Sequence, residues 1–263
     1  MHVIDFHAHI YPDKVASKAT AAISEFYDAP MRYTGLVSEL LASGGKIGVE
    51  RYLVHSTATR ADQVVSINDY VIREIAKESR FIGFGTIHPD FPAAEVAPEL
   101  ERIAAAGLQG IKLHPDFQKF EADTPAMDAI YDQLAAAGLP VLIHAGDRRF
   151  DFSGPRRIAG ILDKHPTLRL IAAHFGGYTE WDESFELLAG RDLWFDTSST
   201  FWKIDRATAL RMIRKHGTDR FLFGSDFPMW DHSDELERFL SLGLTDAENR
   251  AILYDNAASL LRL

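Results

Sequence analysis

Met1-His2-Val3-Ile4-Asp5-Phe6-His7-Ala8-His9-Ile10 opens the chain, and its reading decides the fold. Val3, Ile4 and Phe6 are β-branched or aromatic, the composition of a buried strand. Side chains alternate along a strand, so Val3, Asp5, His7 and His9 are expected on one face and Ile4 and Phe6 on the other. Two imidazoles at i and i+2 then leave one face together near the strand's C-terminal end, with Asp5 behind them. Neutral imidazole is a good ligand for zinc and its neighbours, so the pair is placed to grip one metal ion. The same pair also reads as two hydrogen-bonded histidines at a strand end, and the rest of the chain must decide. Tyr11-Pro12-Asp13 ends the strand and offers a helix start.

Beyond it the pattern repeats. Lys14 to Tyr27 places Val15, Ala19, Ala22, Ile23 and Phe26 along one helical stripe. Further strands are expected at 47–54, 81–87, 110–113, 140–143, 168–173, 193–195 and 221–223, with helical segments between them and three helices after the last. Strands alternating with helices in this way predict an α/β chain folded as a single (β/α)8 TIM barrel over residues 1–263, with extra terminal helices. An open doubly wound sheet is the rival, but no Gly-x-Gly-x-x-Gly turn follows the first strand. No linker, low-complexity tract or charge block suggests a domain boundary.

Composition narrows the function. Hydrophobic residues at 46% and charged residues at 25% place the chain among soluble globular proteins. A formal charge of −10 argues against nucleic acid, because phosphate contacts need a basic face. There is no cysteine, so disulfides and thiolate metal sites are excluded, and any metal is held by nitrogen and oxygen. No stretch is long and apolar enough to span a bilayer, and no basic-then-apolar leader precedes the first strand. A cytoplasmic enzyme acting on a small molecule, with no membrane partner, is the expectation.

The polar residues fall in a telling place. His7, His9, His55, His88, His114, His144, His174, Asp196 and Asp226 all sit at the C-terminal ends of expected strands. In a barrel those ends converge on the face where active sites are built. One histidine there is ordinary, but burying so many polar rings unpaired would be costly.

Four segments carry a resemblance: Asp5-Phe6-His7-Ala8-His9, Leu142-Ile143-His144-Ala145-Gly146, Ala172-Ala173-His174-Phe175-Gly176-Gly177 and Phe223-Gly224-Ser225-Asp226-Phe227-Pro228. Together they resemble the amidohydrolase superfamily, and most of all its amidohydrolase-related branch. That branch includes aminocarboxymuconate-semialdehyde decarboxylase and resorcylate-type decarboxylases. The resemblance implies a divalent metal held by His7, His9, His144 and Asp226, with His174 orienting or deprotonating metal-bound water. Zinc is favoured with manganese as the alternative, and one ion is favoured over two. Such an ion lowers the pKa of its water and polarises a substrate oxygen. Asp226 is then expected both to ligate and to accept the water's proton, and Asp5 to hold a ring N–H from behind.

Lys112 shares a parity with Gly110 and His114, so it is expected to point into the barrel beneath the mouth. Gly-Ile-Lys resembles superfamily members whose strand-four lysine, carboxylated, bridges two metals; the other reading is a lysine that pairs with a carboxylate. His114 is expected to contact substrate, and Arg148 and Arg149 to fork onto a substrate carboxylate. Tyr178, Phe201, Trp202 and Trp230 either line the mouth or pack a partner subunit, which leaves a homo-oligomer open. Asn256 is expected to cap the last helix. The favoured function is a metal-dependent hydrolase of a small, carboxylated amide, ester or lactone, acting through a metal-activated water. Lys112 and a chain shorter than the decarboxylases tip the balance that way. The alternative is a non-oxidative, metal-dependent decarboxylase, a carboxy-lyase, of an aromatic or muconate-like acid.

Overall fold

Eight parallel strands follow one another round the molecule in sequence order in this computed structural model, which describes residues 1–263. They are β1 (Ile4–His9), β2 (Arg51–His55), β3 (Phe81–Thr86), β4 (Gly110–Leu113), β5 (Val141–Ile143), β6 (Leu170–Ala172), β7 (Trp194–Asp196) and β8 (Phe221–Leu222). The ring closes between β8 and β1, where Phe6 N–H donates to Phe223 O at 2.7 Å and His9 N–H to Phe227 O at 2.7 Å. This is the expected (β/α)8 barrel. Strand β2 starts later than expected, because Gly44 to Gly48 turn tightly instead of extending.

Two apolar layers hold it together. Ile4, Phe6, Leu53, Ile82, Phe84, Leu142, Ile171 and Leu222 fill the interior of the barrel, and Leu260 and Leu261 of the last helix, Asn256–Leu261, close that core. A larger layer, including Val54, Ile111, Leu113, Val141, Ile143 and Phe195, packs the outside of the sheet against the helices. Burying such side chains contributes about 1.5–3 kcal/mol each before chain entropy is counted. In the helix Asp13–Tyr27, Ala16 and Thr20 are buried while Val15 lies in solvent, so its inward stripe is rotated from the expected one. Asn256 does not cap its helix; its Nδ2 donates to Thr218 O and Phe221 O and ties the helix to the start of β8.

The strand parity read from the first ten residues fails in one instructive way. The pairing runs Asp5 with Tyr52 and then Ala8 with Val54, so β1 takes one residue more than β2. This β-bulge shifts the alternation. Ile4 and Phe6 face the interior below it, and His7 and His9 reach the mouth above it. Asp5 is thereby separated from the histidines. It lies outside the ring, accepting from Ser225 N–H at 2.9 Å, Ser225 Oγ at 2.7 Å and His232 Nε2 at 2.9 Å. Asp5 braces the β8 loop and holds no metal-site ring.

His216 gives the fold a pH dependence remote from the mouth. It is 7% exposed; its Nδ1 accepts from Gly190 N–H at 3.0 Å and its Nε2 donates to Leu193 O at 3.1 Å. Burial pulls its pKa down to about 4 from the ordinary 6.5, despite the opposing pull of Leu193. The unfolded chain therefore takes up this proton first as pH falls. Stability is unaffected above pH 6.5 and declines progressively between there and about pH 4. His216→Gln is expected to flatten the fall of Tm across that window in thermal melts. Parallel Tm–pH profiles for the two proteins would contradict this.

Candidate metal centre

His7 Nε2, His9 Nε2 and Asp226 Oδ1 form a nearly equilateral triangle, with edges of 3.3, 3.4 and 3.5 Å. The centre of such a triangle lies about 2 Å from each corner, the zinc–nitrogen and zinc–oxygen bond length. The donor set fits a divalent ion. Each ligand is aimed by its surroundings. His7 Nδ1 donates to Asp196 Oδ2 at 2.7 Å, which leaves the lone pair on Nε2. Burial alone would raise the Asp196 carboxyl, but His7 beside it holds it below the ordinary value. Gly224 backs the ring, since a Cβ there would meet His7 Cβ at 2.8 Å. Asp226 takes a left-handed backbone with φ 56°, its N–H donates to His7 O at 2.9 Å, and Ser199 Oγ donates to its Oδ2. Burial pushes its carboxyl up, yet the neighbouring His7 and His9 rings outweigh that and hold it well below the carboxylate range. Burial likewise pulls His9 down to about 4, so the ring is neutral and ready to ligate.

His144 and His174 form a separate pair beside this triangle. His174 Nδ1 faces Ser198 O at 2.9 Å, and His144 Nε2 faces Gly146 O at 2.9 Å. A carbonyl only accepts, so each of these nitrogens carries the proton. His144 Nδ1 and His174 Nε2 are then both bare, and they lie 3.0 Å apart. Two facing lone pairs at that distance need a proton or a cation between them. His174 reaches the interior through a left-handed residue, φ 59°, where strict alternation from β6 would have turned it away.

The remaining residues named from the sequence are split. Lys112 is fully buried with Nζ 3.2 Å from His7 Nε2, and burial lowers its pKa to about 8. His114 stacks between Phe117 (3.8 Å) and His144 (4.0 Å), and its Nε2 lies 3.0 Å from Tyr27 Oη. Arg148 and Arg149 are not brought to the cleft. Arg148 is exposed, and Arg149 is locked onto the buried Asp147 carboxylate at 2.6 Å and packed over Phe26. Asp147 takes up the fork that the sequence had offered to substrate. Trp202 and Trp230 both bond to Ser199 and stay off the cleft lining.

A narrow cleft lies over the centre, walled by Tyr11, Tyr27, Phe117 and Met229, with Lys112 the only lysine or arginine in its lining. Asp196, Ser198, Tyr27 and Phe117 were not assigned from the sequence. Asp196 stood at a strand end and was legible there; Tyr27 comes from a distant helix and was not.

A family profile described as Amidohydrolase matches residues 4–263. The chain belongs to the amidohydrolase family. This amidohydrolase is 23% identical over 261 residues to the gamma-resorcylate decarboxylase of Polaromonas sp. (strain JS666 / ATCC BAA-500), over 78% of each chain. Among solved structures it is similar to the 5-carboxyvanillate decarboxylase of Sphingomonas paucimobilis, with TM-score 0.76 at 18% identity over 100% of this chain and 99% of that one. A dihydroxybenzoic acid decarboxylase from Polaromonas sp. JS666, solved with manganese and 2-nitroresorcinol, gives TM-score 0.76 at 17% identity over 100% and 97% of the two chains. Chains assigned to 2-pyrone-4,6-dicarboxylic acid hydrolysis, from Acinetobacter baumannii and Pseudomonas putida, share the barrel at TM-scores of 0.75 and 0.70, so the fold alone does not choose a reaction.

The relatives overturn the hydrolase expectation. The gamma-resorcylate decarboxylase is a carboxy-lyase, and decarboxylases stand among the similar solved structures. The family is metal-dependent, in keeping with the donor triangle. No helix is long and apolar enough to cross a membrane.

Proposed function

We propose that this amidohydrolase is a metal-dependent, non-oxidative decarboxylase of a small hydroxylated aromatic acid. One observation carries the reading. An aromatic-walled cleft over the His7–His9–Asp226 triangle holds a single buried lysine as its only lysine or arginine. That arrangement suits a flat ring with a carboxylate, the kind of molecule named for the relatives. His7, His9 and Asp226 would hold one zinc or manganese ion. When bound, the ion supplies a Lewis acid for the substrate's carboxylate and ring oxygens.

The chain's own groups do the rest. Lys112 Nζ receives the carboxylate that the cleft otherwise leaves without a cation. Tyr27 and Phe117, packed edge to face with centroids 5.8 Å apart, offer one aromatic wall for the ring. His114 Nδ1 accepts from Phe117 N–H, so its Nε2–H donates to Tyr27 Oη, which leaves the tyrosine's own hydrogen free for a substrate oxygen. Decarboxylation breaks one carbon–carbon bond, releases carbon dioxide and requires one proton at the ring carbon. The His144 Nδ1 and His174 Nε2 pair is built to hold that proton, and His174 is the ring assigned to pass it on. Water then returns the proton, so the cycle balances without an oxidant.

The test is a panel of hydroxybenzoates and muconate-like acids, with the protein loaded with manganese or zinc. Equimolar carbon dioxide and decarboxylated product are expected from at least one hydroxybenzoate. Turnover of esters, amides or lactones with no carbon dioxide from any acid would refute the reading.

A further inference from the structure

Among the histidines at the barrel mouth, His55 stands apart. It is 0% exposed, and neither Nδ1 nor Nε2 has a hydrogen-bond partner anywhere in the chain. Its neighbours are all engaged: His7 through Asp196, His174 through Ser198, His144 through Gly146, His114 through Tyr27. A neutral imidazole carries one donor and one acceptor, and burying both unpaired loses their hydration without return. No packing argument demands a polar ring here, since leucine has a similar volume.

Position explains the exception. His55 is the register partner of His9 across the β1–β2 ladder, so the two side chains leave the sheet in the same direction and at the same height. Its ring lies 4.4 Å from the His9 ring and 4.9 Å from the His7 ring, nearly perpendicular to both. One nitrogen each from His7, His9 and His55 fall within 4.8 Å of one another. Two nitrogens on a single ion can be at most about 4.2 Å apart. A modest rotation about χ2, a soft torsion in histidine, closes that gap.

We propose that His55 is a further imidazole ligand of the ion held by His7, His9 and Asp226, supplied by β2. This inference rests on the metal centre proposed above and is independent of the reaction catalysed. It assigns a ligand to a strand that none of the four resembling segments includes.

The experiment compares wild type, His55→Gln and His55→Leu as whole proteins. Manganese affinity is read by chelator competition, imidazole nitrogens on Mn2+ by electron spin-echo modulation, and Tm with and without metal. Metal-free Tm values establish that each variant folds, and glutamine serves if leucine does not. Both variants are expected to bind manganese at least about tenfold more weakly, as loss of a metal-site residue does. One coupled nitrogen should disappear, and the metal-induced rise in Tm should shrink. Affinities within twofold of wild type with an unchanged nitrogen count would overturn the assignment, leaving the triangle intact. Wild-type protein that takes up no manganese or zinc would overturn the triangle and His55 together.

Discussion

His7→Ala/His9→Ala leaves the protein with about a tenth or less of the wild-type metal content, measured by plasma mass spectrometry after dialysis. The two imidazoles are two of the three corners of the triangle, at 3.3 Å from one another. With both imidazoles of β1 gone, too few donors remain to keep an ion against water. The loss also appears as stability. A ligand present at a hundredfold over its Kd stabilises by about 2.7 kcal/mol, worth roughly 5–10 °C in a chain of this size. Metal addition should raise Tm by that amount in the wild type and not in the variant. The metal-free variant should melt below the metal-free wild type, because His7→Ala leaves the buried Asp196 carboxylate without its partner, so the metal-induced rise is compared within each protein. Full occupancy in the double variant would place the ion elsewhere.

His174→Asn separates proton handling from metal binding. Asparagine keeps an amide donor for Ser198 O but offers no ring nitrogen that can take up and release a proton. Metal content should stay at the wild-type level while kcat falls on the order of 10²- to 10⁴-fold, the usual reach of a positioned acid–base group. KM should move little, since substrate is held by Lys112 and the aromatic walls. If metal leaves with the ring, His174 is a ligand and the proton must come from another group.

The barrel was legible because its evidence is local and repeated. Short apolar runs ending in polar residues recur along the chain, and each run became a strand within a few residues of its expected place. Parity was sound where strands are regular, as for Lys112 with His114. It failed where the backbone departs from regularity. The bulge in β1 moved Asp5 to the outer face, and a left-handed residue at His174 re-aimed a side chain that alternation alone would have misplaced. Asp196 behind His7 and Tyr27 against His114 are long-range pairings, set by closure of the barrel and by the first helix folding over its mouth. The arginines failed for a different reason. Asp147, two positions earlier, is already the partner of Arg149. Reaction type was the least legible of all, because the same donor triangle serves hydrolysis and decarboxylation.

The central claim is that this centre removes a carboxylate and replaces it with a proton. Turnover of a dihydroxybenzoate in D2O enriched with ¹⁸O, followed by NMR and mass spectrometry, tests it most directly. One deuterium should appear at the ring carbon that bore the carboxylate, with one equivalent of carbon dioxide and no ¹⁸O in the phenol product. Product carboxylate carrying ¹⁸O, formed from an ester, amide or lactone without carbon dioxide release, would contradict it.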